Sequence, residues 1–179
     1  PHFDAFKEEV MKTGEVIAMA RATNPTTETG NSSSRFNWKG KDPAVSVDFP
    51  FVYVSYEFGA TVGWTFRAGR DFSRDFPSDT SALVVNEAAA EYFGFADPIG
   101  EVIQWGETPF TIVGVIADMV MDSPYDPVKP TVFALTEDGG YLIFSRVKPG
   151  VSPGDALARL ESVYKKYAEG DPFNYSFVD

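Results

Sequence analysis

A chain of 179 residues with 44% apolar and 15% aromatic side chains has the means to bury one domain or two small subdomains. Fifteen basic residues against 26 acidic ones leave a formal charge of −11, which argues against nucleic acid and anionic lipid as partners and otherwise fits a soluble surface. The absence of cysteine removes disulfides, thiolate nucleophiles and cysteine-bound metal, and no apolar run reaches the ~18–20 residues that span a bilayer.

In chain order, Phe3, Phe6, Val10 and Met11 recur at helical spacing and Gly14 supplies a stop, so the opening is expected to be a short amphipathic helix. Pro1 leads directly into this mixed sequence with no signal-peptide pattern, and the chain reads as a soluble segment. Glu15–Thr23 alternates like a strand, and Asn24–Ser34 is a polar loop whose Asn31 begins an Asn-Ser-Ser sequon of a kind that arises by chance. Phe36–Trp38 and Val45–Phe49 are predicted strands around a Gly40–Pro43 turn, and the next stretch, FPFVYVSYEFGATVGWTF, is β-like by composition.

Ala82–Val85 is a strand of the buried type. Asn86 follows as an N-cap, Glu87 suits the positive end of a helix dipole, and Gly94 ends the helix. EVIQW and PFTIVGVIAD, joined by Gly106-Glu107-Thr108, predict a hairpin. A Pro-punctuated loop, MDSPYDPVKP, leads to strand TVFAL. The last unit is predicted as strand YLIFSRV, a helix capped by Ser152 with Asp155, and a returning strand FNYSFVD after Gly170. That helix carries one apolar stripe, through Ala156, Leu157, Leu160, Val163, Tyr164 and Tyr167.

Chemistry is poorly provided for. Arg70, Asp71, Arg74 and Asp75 in GRDFSRDF could be drawn as an anion site or acid–base pair, but neighbouring Arg–Asp residues more often make turn salt bridges. His2 is the only histidine. Asp118, Asp122 and Asp126 fall four apart, but Pro124 and Pro127 forbid the helix that would align them as metal ligands. There is no G-x-S-x-G, no G-x-G-x-x-G and no P-loop, since GFADPIGE lacks the following Lys-Ser/Thr. The expectation is a non-enzyme with no cofactor and no metal. Phe51, Tyr53, Tyr56, Phe58, Trp64 and Phe66 would either pack as core or line a groove. The candidates for a partner or substrate surface are Tyr53, Tyr56, Trp64, Trp105 and Tyr125.

One stretch, Gly69–Pro130, is more specific than its parts. Its GRDFS turn, its ALVVNEAAA switch followed by DPIGEVI, and its TIVGVIAD strand leading to KP stand in an order that resembles the MacB-like periplasmic core domain of FtsX-like ABC transporter permeases. The closing PFNYSFVD looks like that family's approach to its second membrane helix. The resemblance implies an α/β (α+β) fold. Porter-like strand–helix–strand units, 1–67 and 136–179, would form a membrane-proximal part, with 68–135 inserted as a second subdomain. By family position Phe51–Gly59 is expected to be a helix leading into a strand at Trp64–Phe66.

The resemblance further implies an extracytoplasmic domain tethered to the cytoplasmic membrane by flanking helices. The full permease would dimerise with a second protomer and work with a cytoplasmic ATP-binding subunit. The domain would pass ATP-driven motion to a substrate or to an adaptor, lipoprotein or cell-wall enzyme. The rival readings are a secreted or surface module binding glycan or peptide through the aromatic set, and a hydrolase with an all-carboxylate site.

Overall fold

The computed structural model describes residues 3–25, 30–119, 127–136, 138, 140–168 and 170–177. Its helices are α1 (Phe3–Lys12), α2 (Phe58–Val62), α3 (Glu87–Phe93) and α4 (Pro153–Tyr167). Its strands are β1 (Val16–Ala22), β2 (Ser32–Ser33), β3 (Phe36–Trp38), β4 (Phe49–Val54), β5 (Phe66–Gly69), β6 (Ala82–Asn86), β7 (Val102–Trp105), β8 (Thr108–Ile116), β9 (Val132–Leu135) and β10 (Leu142–Val147).

All ten strands join one mixed sheet, in the order β10-β1-β4-β9-β6-β8-β7-β3, with β2 on β4 and β5 on β8. β6 is the centre: each of its five residues is buried, as expected for a strand covered on both faces. The sheet rolls up. β2 and β3 lie two residues apart, yet β2 pairs with β4 and β3 with β7, so this short run bridges two distant strands. Phe36 of β3 therefore meets Phe49 of β4 at 5.8 Å, and Trp105 of β7 meets Phe51 at 4.7 Å. The interior of the roll is one apolar cluster that includes Leu83, Val85, Ile103, Ile112, Val132 and Ala134.

Its outer face carries a second cluster, in which Val52, Val54, Val84 and Phe133 meet Phe58 of α2 and Ala20 and Ala22 of β1. A third cluster lies where α1 and α4 pack on β1: Phe6, Val10, Val16, Met19 and Val163. The four-residue step from Phe6 to Val10 is the apolar edge of α1, and Ala156 and Val163, seven apart, are the most buried points of the α4 stripe.

The local signals behave as the sequence predicts for α3, α4 and the β7–β8 hairpin. The Asn86 side chain accepts the Ala89 N–H, and Gly94 closes α3 in the left-handed region at φ 73°. Ser152 accepts the Asp155 N–H at the start of α4. Trp105 pairs with Thr108 across the Gly106-Glu107 turn.

Four expectations are corrected. Phe51–Gly59 is not a helix: Phe49–Val54 is strand β4, and helix begins only at Phe58. Alternation explains this, because Phe49, Phe51 and Tyr53 face the interior cluster while Val52 and Val54 face the outer one. Of the strand expected over Val45–Phe49 only Phe49 is in a strand, as the first residue of β4, and the strand placed at Trp64–Phe66 runs instead over Phe66–Gly69. Residues 171–177 make no ladder and so are not the returning strand that the alternation of FNYSF suggests.

Candidate functional site

The sequence-derived surface residues do not converge. Tyr53 and Trp105 meet inside the roll, their rings 5.6 Å apart and nearly parallel, with Phe51 and Phe110 against the same indole. They occupy each other's faces, and burial raises the Tyr53 hydroxyl above its usual pKa. Trp64 lies on the opposite side of the sheet, packed against Phe133 at 4.9 Å and Phe58 at 5.6 Å. Its buried indole N–H has no hydrogen-bond partner among the described residues. Tyr56 is covered by the Arg74 guanidinium, 4.4 Å from the ring centre. Tyr125 lies outside the described residues.

The charged turn proves structural. Arg70 reaches past its neighbour Asp71 to grip Asp79 with two hydrogen bonds, at 2.7 and 2.8 Å, and stacks 3.9 Å from the Phe76 ring centre. The Asp79 side chain is 1% exposed and also accepts the Ser73 N–H. Burial works to raise this carboxyl, but the Arg70 hydrogen bonds, the Ser73 N–H and the Arg70 charge together hold it below the ordinary range. Arg74 pairs with Glu57 at 2.6 Å, and Glu57 also faces Lys7 of α1 at 3.6 Å. No spacing rule would have found these links, since nine and seventeen residues separate the bonded groups.

Asp71 is the odd member. Burial pushes its carboxyl up to about 6, helped by the nearby Asp79 charge and opposed by the Phe72 N–H, which it accepts at 2.7 Å. It presses on α2, where only glycine fits, because a Cβ on Gly59 would overlap the carboxylate. The folded pKa exceeds the unfolded value of 3.8, so the favourable protonated form is fully present below pH 3.8 and lost as pH rises through 6. Asp71→Asn is therefore expected to stabilise the fold at pH 7.5 by on the order of 1 kcal/mol, after discounting for solvent at a partly exposed carboxyl, and so to raise the melting temperature there while leaving it unchanged near pH 3.5. Melting curves at the two pH values check this, and an equal effect at both would contradict it.

α3 is held at its start from two sides. Asn86 accepts the N–H groups of Ala89 and Thr131 and donates to the Lys129 carbonyl at 2.9 Å. Asp118, just beyond β8, accepts the Ala88 N–H, while its own N–H donates to Glu87. The ALVVNEAAA and GVIAD stretches thus meet at one helix terminus, which explains why they stand together in the chain.

An open groove of about 510 Å³ runs beside the start of α4, lined by Glu15, Ser152, Asp155 and Arg159. Its polar groups engage one another: Arg159 with Glu15 at 3.6 Å, and Ser152 with Asp155 at 2.8 Å. Among the described residues no acidic or histidine cluster is arranged to hold a metal ion, and no helix is long and apolar enough to cross a membrane.

The two helices nearest the chain ends are antiparallel neighbours. The Tyr167 hydroxyl near the end of α4 donates to Glu9 at 2.9 Å and touches the Ala5 carbonyl near the start of α1, and Lys166 pairs with Glu9. Phe6 packs edge-on to Tyr164 and Tyr167. Arg21 at the end of β1 sits 4.5 Å from the Phe3 ring centre, and Ala22 pairs with Leu142. One pole of the molecule thus collects the start of α1, the end of β1, the start of β10 and the end of α4.

A fold whose first and last elements close on each other, with a rolled sheet between them, is matched by the MacB-like periplasmic core domain over residues 3–163. The chain belongs to this family. The family consists of extracytoplasmic domains of MacB/FtsX-like ABC transporter permeases. The periplasmic region of MacB from Actinobacillus actinomycetemcomitans has the same fold, with a TM-score of 0.63 at 16% identity, covering 92% of this chain and 73% of that one. The extracellular domain of the noncanonic ABC-type transporter YknZ from Gram-positive bacteria aligns with a TM-score of 0.64 at 12% identity, covering 92% and 82%. No curated protein matches the chain.

Proposed function

We propose that this family member is the coupling element of an ABC transporter permease, passing motion of membrane helices, driven by a cytoplasmic ATP-binding subunit, to a substrate or periplasmic partner. The partner would be an adaptor, a lipoprotein or a cell-wall enzyme, and the permease would act as a dimer. One observation supports this reading: the start of α1 and the end of α4 lie side by side at one pole, where a single anchor could act on both. The outer segments, 1–67 and 136–179, then serve as a base, with 68–135 projecting from it and β3 and β4 carrying the join. The continuous sheet from β10 to β7 makes that join stiff.

Gly-rich insertions at Gly14 or Gly170 in the full-length permease are expected to leave ATP hydrolysis intact and abolish transport or partner activation, because a soft joint dissipates movement. Undiminished transport with both insertions would defeat the mechanism. The domain itself is expected to turn over no nucleotide, ester, peptide or glycoside.

A further inference from the structure

The two ends of the strand order are finished differently. At β3, backbone groups turned away from β7 are met from within the same loop. The Lys41 ammonium donates to the Phe36 carbonyl at 2.7 Å, the Lys41 N–H to the Trp38 carbonyl at 3.1 Å, and the Trp38 N–H to the Asn37 side chain at 3.1 Å. At the other end β10 pairs only with β1. Thr23 and Arg21 bond to β4, which turns the backbone of Ala22 toward β10. From that register Leu142, Phe144 and Arg146 direct their backbone groups at β1, while Ile143, Ser145 and Val147 direct theirs outward. Among the described residues nothing pairs with these outward N–H and C=O groups. β10 is internal to the chain and followed by the whole of α4, so its open edge does not come from a chain end. Such an edge is a template for an extended chain, and an edge not meant for one is blunted, as Lys41 blunts β3.

We propose that the β10 edge takes up an extended segment of the extracytoplasmic protein partner as an added antiparallel strand. The inference rests on the coupling function above and names the chemistry of the partner's segment. One face of β10 offers Ile143 and Val147 with Ser145 between them. On the other, Phe144 leans on Phe58 of α2 at 5.1 Å, and Arg146 donates through Nε to the Thr61 carbonyl at 2.7 Å. No carboxylate pairs with the Arg146 guanidinium among the described residues. The segment that fits carries a carboxylate opposite Arg146, an aromatic group opposite Phe144, and apolar side chains opposite Ile143 and Val147. A second copy does not fit. β10 can meet itself only antiparallel, about a two-fold axis across the sheet, which points the two poles in opposite directions and away from a shared membrane. A strand added here belongs to the base, so movement of the base reaches the partner through the sheet itself.

The test adds the end-capped peptide Thr-Val-Glu-Thr-Tyr-Val-Thr to the 179-residue chain; in antiparallel register its Glu falls opposite Arg146 and its Tyr opposite Phe144. Amide hydrogen exchange is expected to show Ile143, Ser145 and Val147 protected and Trp38 unchanged. Methylating the backbone nitrogen of the central Thr, which faces β10, should weaken binding about tenfold through one lost hydrogen bond. Methylating the Glu or Tyr nitrogen, which faces away, should not. Exchanging the peptide's Glu for Lys, or Ile143→Lys in the chain, should also weaken binding. No protection of β10 at millimolar peptide, or equal effects of the two kinds of methylation, would overturn the proposal. So would a dimer of the chain alone that Ile143→Lys dissolves, which assigns the edge to a second copy. Binding that appears only once residues 171–179 are removed would overturn it too, by assigning the edge to the chain's own tail. Peptide binding is read on the isolated chain, so its failure stays distinct from failure of the coupling function, which the Gly14 and Gly170 insertions test in the full-length permease.

Discussion

Arg70→Met should cost the domain about 3 kcal/mol, at the lower end for a broken buried pair because the guanidinium is 37% exposed. The lost attraction matters less than what remains, a carboxylate with a 1% exposed side chain and no countercharge. Against a total stability of about 5–15 kcal/mol, that is a large fraction. The pH dependence follows from the sign of the Asp79 shift. In the parent its pKa is depressed, so its contribution is present above the unfolded value and lost only as pH falls below it. Without Arg70 the same carboxyl is pushed up by burial, so the deficit should be greatest near pH 8 and shrink as the solution is acidified. Urea unfolding at pH 8 and pH 5 measures both, and Arg70→Met/Asp79→Leu should recover most of the loss at pH 8. A deficit below ~1 kcal/mol at pH 8 would place the pair among weak surface bridges.

Asn86→Ala should cost about 2–3 kcal/mol, well beyond the ~1 kcal/mol of an ordinary N-cap. The side chain is 3% exposed and serves two structures at once, as cap of α3 and as acceptor for the Thr131 N–H ahead of β9. Truncation removes the single oxygen that accepts both N–H groups and leaves the Lys129 carbonyl without this donor. Asn86→Asp keeps that acceptor and should recover much of the loss, whereas Asp118→Ala, which touches only the Ala88 N–H and its own turn, should cost ~1 kcal/mol or less. Thermal unfolding of the three variants gives the ranking, and a loss no greater for Asn86→Ala than for Asp118→Ala would refute the double role.

What could be read from the chain beforehand was what is decided within a few residues. Asn86 with Glu87, Gly94, the Ser152–Asp155 cap, the α4 stripe and the turn at Gly106-Glu107 each carry their own instruction. Phe49–Val54 also carries one, in aromatic and β-branched alternation, and this local pattern outweighs the helix that family position implies over Phe51–Gly59. The Arg70–Asp79 grip and the bridging run of β2 and β3 depend on partners that only the folded sheet brings near. The aromatic set shows the same limit. Tyr53, Trp64 and Trp105 look alike as a list of rings, but Tyr53 on β4 turns into the roll with Trp105, while Trp64, in the loop between α2 and β5, packs on the outer face of the sheet.

The pairing of α1 with α4 has a consequence for how the chain comes to be made. Glu9 and Lys166 stand 157 positions apart, so α1 finds its partner only when nearly the whole segment has appeared. At ~5–20 residues per second that is roughly 10–30 s, during which Phe6 and Val10 have no completed core to enter. The rolled sheet can form in the interval, since its strands lie wholly between the two helices. Closing so long a loop costs little more than closing one half its length, about 0.6 kcal/mol per doubling, so the delay is a matter of timing rather than stability. During that window the apolar edge of α1 must be shielded, and factors that act on emerging apolar segments would meet Phe6 and Val10 before α4 exists to cover them.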